Sequence, residues 1–264
     1  MALLRNLILA AVVAGTATPL AALAATPAKP AKAVATPAPA AKPALDPDAA
    51  AALDRMGAYL RTLKNFDIHV ESSSDTILNN GQRIQLDRTV DYAVQMPNRL
   101  TARLEGPQGV VNATYDGAAF TVAGQDGYYA QAPMTGSIGN LLSKAYTAYG
   151  IDFPLQDLFR WGDASSVTEQ PTEGFKVGSA KVGGVLTDHY AFRQPGVDFQ
   201  IWIDQGDKPL PRKMVITSLE DPAQPQYTAL VNWKLNPGRT DSQFTFKPAP
   251  GAKQIRFRSE PAAK

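Results

Sequence analysis

The residue types that most often carry catalysis are sparse in this sequence. Its 264 residues include two histidines, His69 and His189, and no cysteine. Neighbouring side chains of an extended strand point to opposite faces, so Asp188 points away from His189. The run Ser72–Asp75 offers hydroxyls and a carboxylate but no placed base. We therefore predict that there is no catalytic residue and that the protein is not an enzyme.

No motif for a cofactor or a nucleotide is present. The sequence lacks a Gly-x-Ser-x-Gly elbow, a phosphate loop, a dinucleotide-binding glycine pattern and a His-Glu-x-x-His pair. A metal site would need carboxylates that converge from separate strands, which a sequence does not show. We expect neither a cofactor nor a metal.

Arg88 is the residue whose position suggests binding chemistry. By strict alternation it shares a strand face with Leu86, Val90 and Tyr92, which are apolar or aromatic. An inward guanidinium without a partner is costly, so it needs a carboxylate, the carbonyls of a covering segment or a ligand headgroup. A bulge or a barrel rim would let it reach water instead. Both interpretations are open from the sequence.

The elements around Arg88 have a period of two, which is typical of strands. Six alternating stretches run from Phe66 to Gln131 with short connections, among them the hairpin signal Asn80-Gly81, and predict an antiparallel meander. Five or six more strands follow from Phe175. About eleven strands are more than an open sheet usually holds without curling.

Helical spacing occurs before and between these strand groups. Asp46-Pro47 starts an alanine-rich helix that reaches Leu63. A second helix covers 138 to 149 and stops at Gly150, and a short third one begins with Asp152 as its cap. We predict an α+β fold in which a curled antiparallel sheet of about eleven strands forms a half-open barrel, with an N-terminal helix and two inserted lid helices.

The first 44 residues are predicted to lie outside this fold. Arg5, the apolar run 7 to 14 and Ala22-Leu23-Ala24 form a secretory signal cleaved after Ala24, since so short a run does not span a bilayer. Residues 25–44 are almost wholly Ala, Pro, Lys and Thr, which predicts a disordered linker. Residues 45–258 form one domain and 259–264 a disordered tail. The predicted location is the periplasm.

Charge and cysteine content narrow the partners. Without Arg5, Lys29, Lys32 and Lys42, 22 of the 26 basic residues remain in the body against 24 acidic ones, a poor match for nucleic acid. The absence of cysteine excludes disulfides and a bacterial lipid anchor. We expect a monomer.

Five stretches carry a resemblance to a known family. They are MPNRL at 96–100, YDGAAF at 115–120, YGIDFPLQDL at 149–158, FQIWID with PRKMVIT within 199–217, and FTFKPAPGA at 244–252. With the order of elements, they resemble the DUF2092 family of predicted periplasmic proteins and, more broadly, the LolA/LolB-type fold of lipoprotein carriers. The resemblance covers residues from about 50 to 258.

The resemblance implies a half-barrel whose concave apolar face holds acyl chains beneath movable helices. Met96 stands where the lipoprotein carriers have an arginine that holds the lid, and the acylated cysteine of the membrane-bound receptor is missing, so delivery of triacylated lipoproteins is not expected. The predicted ligand-binding residues are Arg88, Tyr92, Met96, Leu141, Leu142, Tyr146, Tyr149, Phe153, Leu155, Leu158, Phe159 and Trp202.

We interpret the chain as a periplasmic binding or carrier protein for a lipid, a lipoprotein acyl chain or another long hydrophobic ligand. The alternative is a cell-envelope protein-interaction module whose cavity is filled by its own side chains and whose linker connects it to partners. Co-purified lipid would favour the first interpretation.

Overall fold

The alternating stretches of the sequence form one sheet. The computed structural model describes residues 44–161 and 170–258, and the predicted signal, its cleavage at Ala24, nearly all of the linker and the tail lie outside those ranges. Within them the strands are β1 Asn65–Ile77, β2 Arg83–Gln95, β3 Arg99–Gly106, β4 Gly109–Tyr115, β5 Ala119–Gly124, β6 Tyr128–Pro133, β7 Glu173–Val182, β8 Val185–Gln194, β9 Val197–Asp204, β10 Pro211–Ser218, β11 Gln226–Leu235 and β12 Lys253–Ile255.

The sheet is open and curled, and its strand order is β12-β6-β5-β4-β3-β2-β1-β11-β10-β9-β8-β7. Two antiparallel meanders, β1 to β6 and β7 to β11, meet where β1 pairs with β11. The predicted α+β half-barrel is confirmed, with twelve strands in place of about eleven. The additional strand, β12, is short and pairs parallel with β6.

Helix α1, Pro47–Thr62, begins where the sequence predicts it. The Asp46 carboxylate accepts the backbone N–H of Asp48 at 2.8 Å, and Leu45 forms a bridge with Gly174 at the start of β7. Its apolar stripe, including Met56 and Leu60, is buried against the sheet. No helix in residues 44–161 and 170–258 is long and apolar enough to cross a bilayer.

The insertion between the two meanders is less helical than predicted. Helix α2, Ile138–Tyr149, is confirmed and ends at Gly150, whose φ of 66° is left-handed and suits glycine. The predicted third helix is only a 3-10 turn, Gln156–Phe159, and Asp152 does not cap it. Pro154 disfavours helical backbone at the residue before it, and Leu155 has a φ of 54°, so no α-helix can start at Asp152.

The two faces of the sheet have different coverings. The inner face is the one covered by α1, α2 and the turn, and its alternate residues form a single core with them. Its largest buried side chains include Tyr115, Phe120 and Ile201. Apolar burial on this face is the main favourable contribution to folding.

The C-terminal strap, residues 236–258, crosses the outer face. The buried Arg239 guanidinium donates to the Phe66 carbonyl at 2.7 Å and pairs with Asp67 on β1. Beyond β12 the strap reaches the inner side, where the Phe257 ring lies 4.4 Å from the Tyr149 ring of α2. The strap therefore connects the far edge of the sheet to the inserted helix.

Candidate functional site

The inserted segment, residues 134–161, covers the centre of the inner face. Of the predicted ligand-binding residues in it, Leu141, Leu142, Phe153, Leu155 and Leu158 are buried, and Tyr146, Tyr149 and Phe159 are partly exposed. Except for Tyr146, they belong to the core or pack against it, as the spacing of the sequence indicated. Whether they also contact a ligand stays a prediction.

Aromatic rings join the inserted segment to the strands beneath it. The Phe159 ring centroid lies 5.2 Å from that of Tyr92 and 6.4 Å from that of Phe66. The Phe153 and Phe120 centroids are 6.1 Å apart. These rings therefore pack the inserted segment onto β1, β2 and β5.

Two tyrosine hydroxyls attach the segment at its two ends. Tyr92 donates to the Pro154 carbonyl at 2.7 Å, and Tyr115 donates to the Gly136 carbonyl at 2.8 Å. Met96 does not take part in these bonds; it is partly buried and packs against the core beside a cis bond to Pro97. The sequence pattern did not single out Tyr115, although it begins the YDGAAF stretch.

Two carboxylates of the segment lie in an apolar environment. Burial raises the pKa of Asp152 to about 7, with repulsion from Asp157 adding to the effect and the Phe153 N–H opposing it. Burial likewise raises the pKa of Asp157 to about 6, against the attraction of Arg160. Both groups therefore change charge near neutral pH while they are packed against the sheet.

Arg88 lies on the inner face, as strict alternation requires. The β1–β2 ladder is continuous, with Ser72 opposite Arg88, so no bulge turns the side chain outward. The Arg88 stem lies across Gly106, where an added Cβ would come within 3.0 Å of Cγ. The side chain is partly exposed, and its guanidinium makes no hydrogen bond or ion pair with any residue that the structure describes.

Polar groups without partners lie near Arg88 and beneath the segment. Tyr227 is 3% exposed and Gln156 is 1% exposed, and within the described ranges the Tyr227 hydroxyl and Gln156 Oε1 have no hydrogen-bond partner. Burial raises the pKa of Tyr227 to about 12, which Ser72 and the charge of Arg88 partly oppose. Buried polar atoms without partners are rare in folded proteins, so these need an explanation.

An apolar trough continues from the core on the same face. Its apolar members are Leu86 on β2 and, on the other side of Arg88, Leu104 on β3 and Val111 on β4, which are direct partners. Leu86 and Leu104 are partly exposed, and Val111 is 41% exposed. Exposed apolar side chains next to a buried core are typical of a binding surface.

Trp202 is not part of this site. It lies on the outer face, where its ring stacks on His189 with 3.9 Å between the ring centroids. The Lys213 ammonium lies 4.7 Å from the centroid of the Trp202 ring. Ile201 and Ile203, its neighbours in β9, take the inner face. Alternation places Trp202 on the opposite side of the sheet from the other predicted ligand-binding residues, and its contact with a ligand stays a prediction.

The described residues contain no group of three or more histidines, aspartates and glutamates arranged to hold a metal ion. The geometry therefore supports binding through apolar surface, a guanidinium and hydroxyls. The expectation of no catalysis stays a prediction.

A curled, open sheet with a covered apolar inner face defines a lidded half-barrel. The chain belongs to the DUF2092 family, described as predicted periplasmic proteins, whose family model matches residues 49–258.

Solved structures are similar to the chain at low identity. The Mycobacterium tuberculosis lipoprotein LppX is 14% identical, with 74% of this chain and 98% of that chain covered and a TM-score of 0.44. An uncharacterised conserved protein from Thermus thermophilus is 12% identical, with 78% and 97% covered and a TM-score of 0.43. A LolA superfamily protein from Nitrosomonas europaea is 12% identical, with 75% and 97% covered and a TM-score of 0.33. No curated protein matches the chain.

Proposed function

We propose that this protein is a periplasmic binding or carrier protein that holds a lipid, a lipoprotein acyl chain or another long hydrophobic molecule on its inner face and does not alter it. The observation that carries the proposal is the apolar trough of Leu86, Leu104 and Val111, which stays exposed beside the covered core. A periplasmic location is supported by the family description and by the signal predicted in the sequence.

Uptake in this proposal is passive. An alkyl chain that enters from the trough replaces contacts between the inserted segment and the sheet, and each buried methylene contributes about 0.8 kcal/mol. Opening the segment breaks the two tyrosine hydrogen bonds and the backbone bond from the Ile138 N–H to the Pro97 carbonyl, each with a net value of about 1 kcal/mol. It also uncovers buried apolar side chains, so the bound alkyl chain must cover that surface again for uptake to be favourable.

The dependence of affinity on chain length tests the proposal. We expect the dissociation constants of saturated fatty acids with eight to sixteen carbons, measured below their critical micelle concentrations, to fall about fourfold per methylene until the site is filled. Native mass spectrometry of protein purified without detergent should also show co-bound lipid. Affinity that does not depend on chain length, together with lipid-free protein, would contradict the proposal.

A matched pair of variants locates the binding surface. Val111→Glu places a charge in the trough and should weaken binding of the sixteen-carbon acid at least tenfold. Phe175→Glu makes the same type of change at a 57% exposed position on the outer side of β7 and should leave binding unchanged. Equal effects of the two variants would argue against the trough.

A protein-interaction module is the second candidate, and the exposed Phe175 and Val177 on the edge strand β7 favour it. Under this interpretation the inner face is filled by its own side chains. The protein would then reject fatty acids of every length.

A further inference from the structure

We propose that Arg88, with the Tyr227 hydroxyl beside it, is a headgroup site for an anionic amphiphile, one whose head presents carboxylate or phosphate oxygens. The inference rests on the proposed function and specifies its ligand class. Its starting point is an unpaired cation on a face that is otherwise largely apolar.

Arg88 differs from the other arginines of the strands and from Arg239 of the strap. Six of these, in the described ranges, pair with a carboxylate: Arg83 with Asp75, Arg99 with Asp241, Arg103 with Glu105, Arg193 with Asp198, Arg212 with Asp204 and Arg239 with Asp67. Arg88 has no such partner there, although a partly desolvated guanidinium gains most from one. Arg256 and Arg258 at the end of the strap also have no such partner among the described residues, but both are exposed to water, whereas Arg88 is partly buried on the inner face.

Nearby carboxylates do not compensate the charge of Arg88. Glu71, Asp87 and Glu105 are close in the strand ladders, but alternation directs their side chains to the outer face. On the inner side Asp152 lies near Tyr227 and accepts from the Gln156 amide, and its raised pKa keeps it partly protonated at neutral pH. An external anion is the remaining partner for the guanidinium.

The neighbouring groups suit an anion with two or more oxygens. The planar guanidinium donates to two oxygens of a carboxylate or phosphate, and the Tyr227 hydroxyl, whose neighbour Ser72 is engaged with the Arg88 carbonyl, can donate to another. The Ser72 hydroxyl is engaged with the Arg88 carbonyl at 3.2 Å and helps to hold the backbone of β2 in place. Gly106 provides the space in which the Arg88 stem lies.

The surroundings also specify that the ligand has an apolar tail. Leu86 precedes Arg88 by two residues on the same face, and on the other side of Arg88 lies Leu104, which pairs with Val90 and with Val111. A head held at Arg88 therefore leaves an attached alkyl chain against apolar side chains. Inorganic phosphate or acetate would gain only the polar half of these contacts.

The test compares ligands that share a sixteen-carbon chain and differ in the head. Hexadecanoate, hexadecyl phosphate and hexadecanol are titrated into the delipidated mature protein by displacement of a fluorescent fatty alcohol. Both anions should bind at least tenfold more tightly than the alcohol. Whichever anion binds more tightly identifies the source of the head as a fatty acid or a phospholipid.

Variants assign the preference to Arg88. Arg88→Met should bring both anions to the affinity of the alcohol and leave alcohol binding unchanged. Arg88→Lys should keep part of the preference, because it keeps the charge but loses the two parallel N–H donors of the guanidinium. Gly106→Val should lower the preference by displacing the stem. Arg103→Met, which removes a paired arginine of the outer face, is the control and should change nothing.

The outcomes separate the two levels of inference. Equal binding of anions and alcohol, unchanged in Arg88→Met, would overturn the headgroup site and leave the proposed function standing. Failure of the wild-type protein to bind any of the three ligands would overturn the proposed function itself. Should Arg88→Met not fold, a reduced preference in Gly106→Val and in Arg88→Lys supports the same site, and an unchanged preference in both variants would overturn it.

Discussion

Removal of the Tyr92 hydroxyl should release one end of the inserted segment. Tyr92→Phe keeps the ring, which packs against Phe159, and deletes only the donor to the Pro154 carbonyl. The hydrogen bond is 2.7 Å long and Tyr92 is buried. Without the hydroxyl, the Pro154 carbonyl therefore has no partner unless the segment moves. We expect a loss of about 1.5 kcal/mol, within the range for a buried hydrogen bond.

The loss should act on local opening more than on global unfolding. Because 1.4 kcal/mol corresponds to a factor of ten, the open population of the segment should rise about tenfold. Hydrogen exchange followed by mass spectrometry checks this: peptides from 150–161 should exchange about tenfold faster, and peptides from β10 should not. Tyr115→Phe should act in the same way on the other end of the segment, near Gly136.

The exposed Tyr128 supplies the matched control. Tyr128→Phe deletes the same atom at the surface and should leave exchange unchanged everywhere. If Tyr92→Phe accelerates exchange throughout the sheet to the same extent as in 150–161, or does not accelerate it at all, the hydroxyl does not act as a local attachment. The account of how the segment opens would then be wrong.

Three further predictions concern charge and the strap. Because the pKa of Asp152 is raised, the folded state binds more protons than the unfolded state between about pH 4 and 7, so the free energy of unfolding falls as pH rises through this range. Hydrogen exchange in 150–161, corrected for its intrinsic pH dependence, should therefore rise from pH 5 to 8. Asp152→Asn should flatten this dependence of exchange on pH. Arg239→Met leaves Asp67 without its partner and should lower the free energy of unfolding by about 3 kcal/mol in urea titrations, whereas no change would show that the strap is dispensable. Phe257→Ala removes the ring that stacks on Tyr149 and should speed exchange at the end of α2 about tenfold without affecting α1; a uniform response would contradict a local contact.

Much of the fold was predictable because most apolar side chains of the strands lie on the inner face of the sheet. A period of two identifies such strands from the sequence, and the inward position of Arg88 follows from the same rule. The three-residue β12 has no alternation to detect and forms only because the strap runs beside β6. The third helix failed as a prediction because apolar spacing was weighed above the backbone restriction that Pro154 imposes.

The candidate site was predictable in part. Its apolar members stand out in the sequence, whereas Tyr115 and Tyr227 take their roles from segments distant in the chain, which no local pattern reveals. For Trp202 the sequence did contain the information, since its alternation with Ile201 and Ile203 places it on the outer face. Pairing between distant segments sets the polar part of the site, and only the three-dimensional structure shows it.

The two edge strands of the sheet, β12 and β7, differ in length and regularity, and both limit how copies of the chain can join. One rim ends in β12, which offers only three residues to an incoming strand. The other rim, β7, is irregular between Lys176 and Gly178 and carries lysines, features that hinder strand addition. Strand addition is therefore hindered at both edges, and contact between copies is left to the exposed side chains of Phe175 and Val177 on β7.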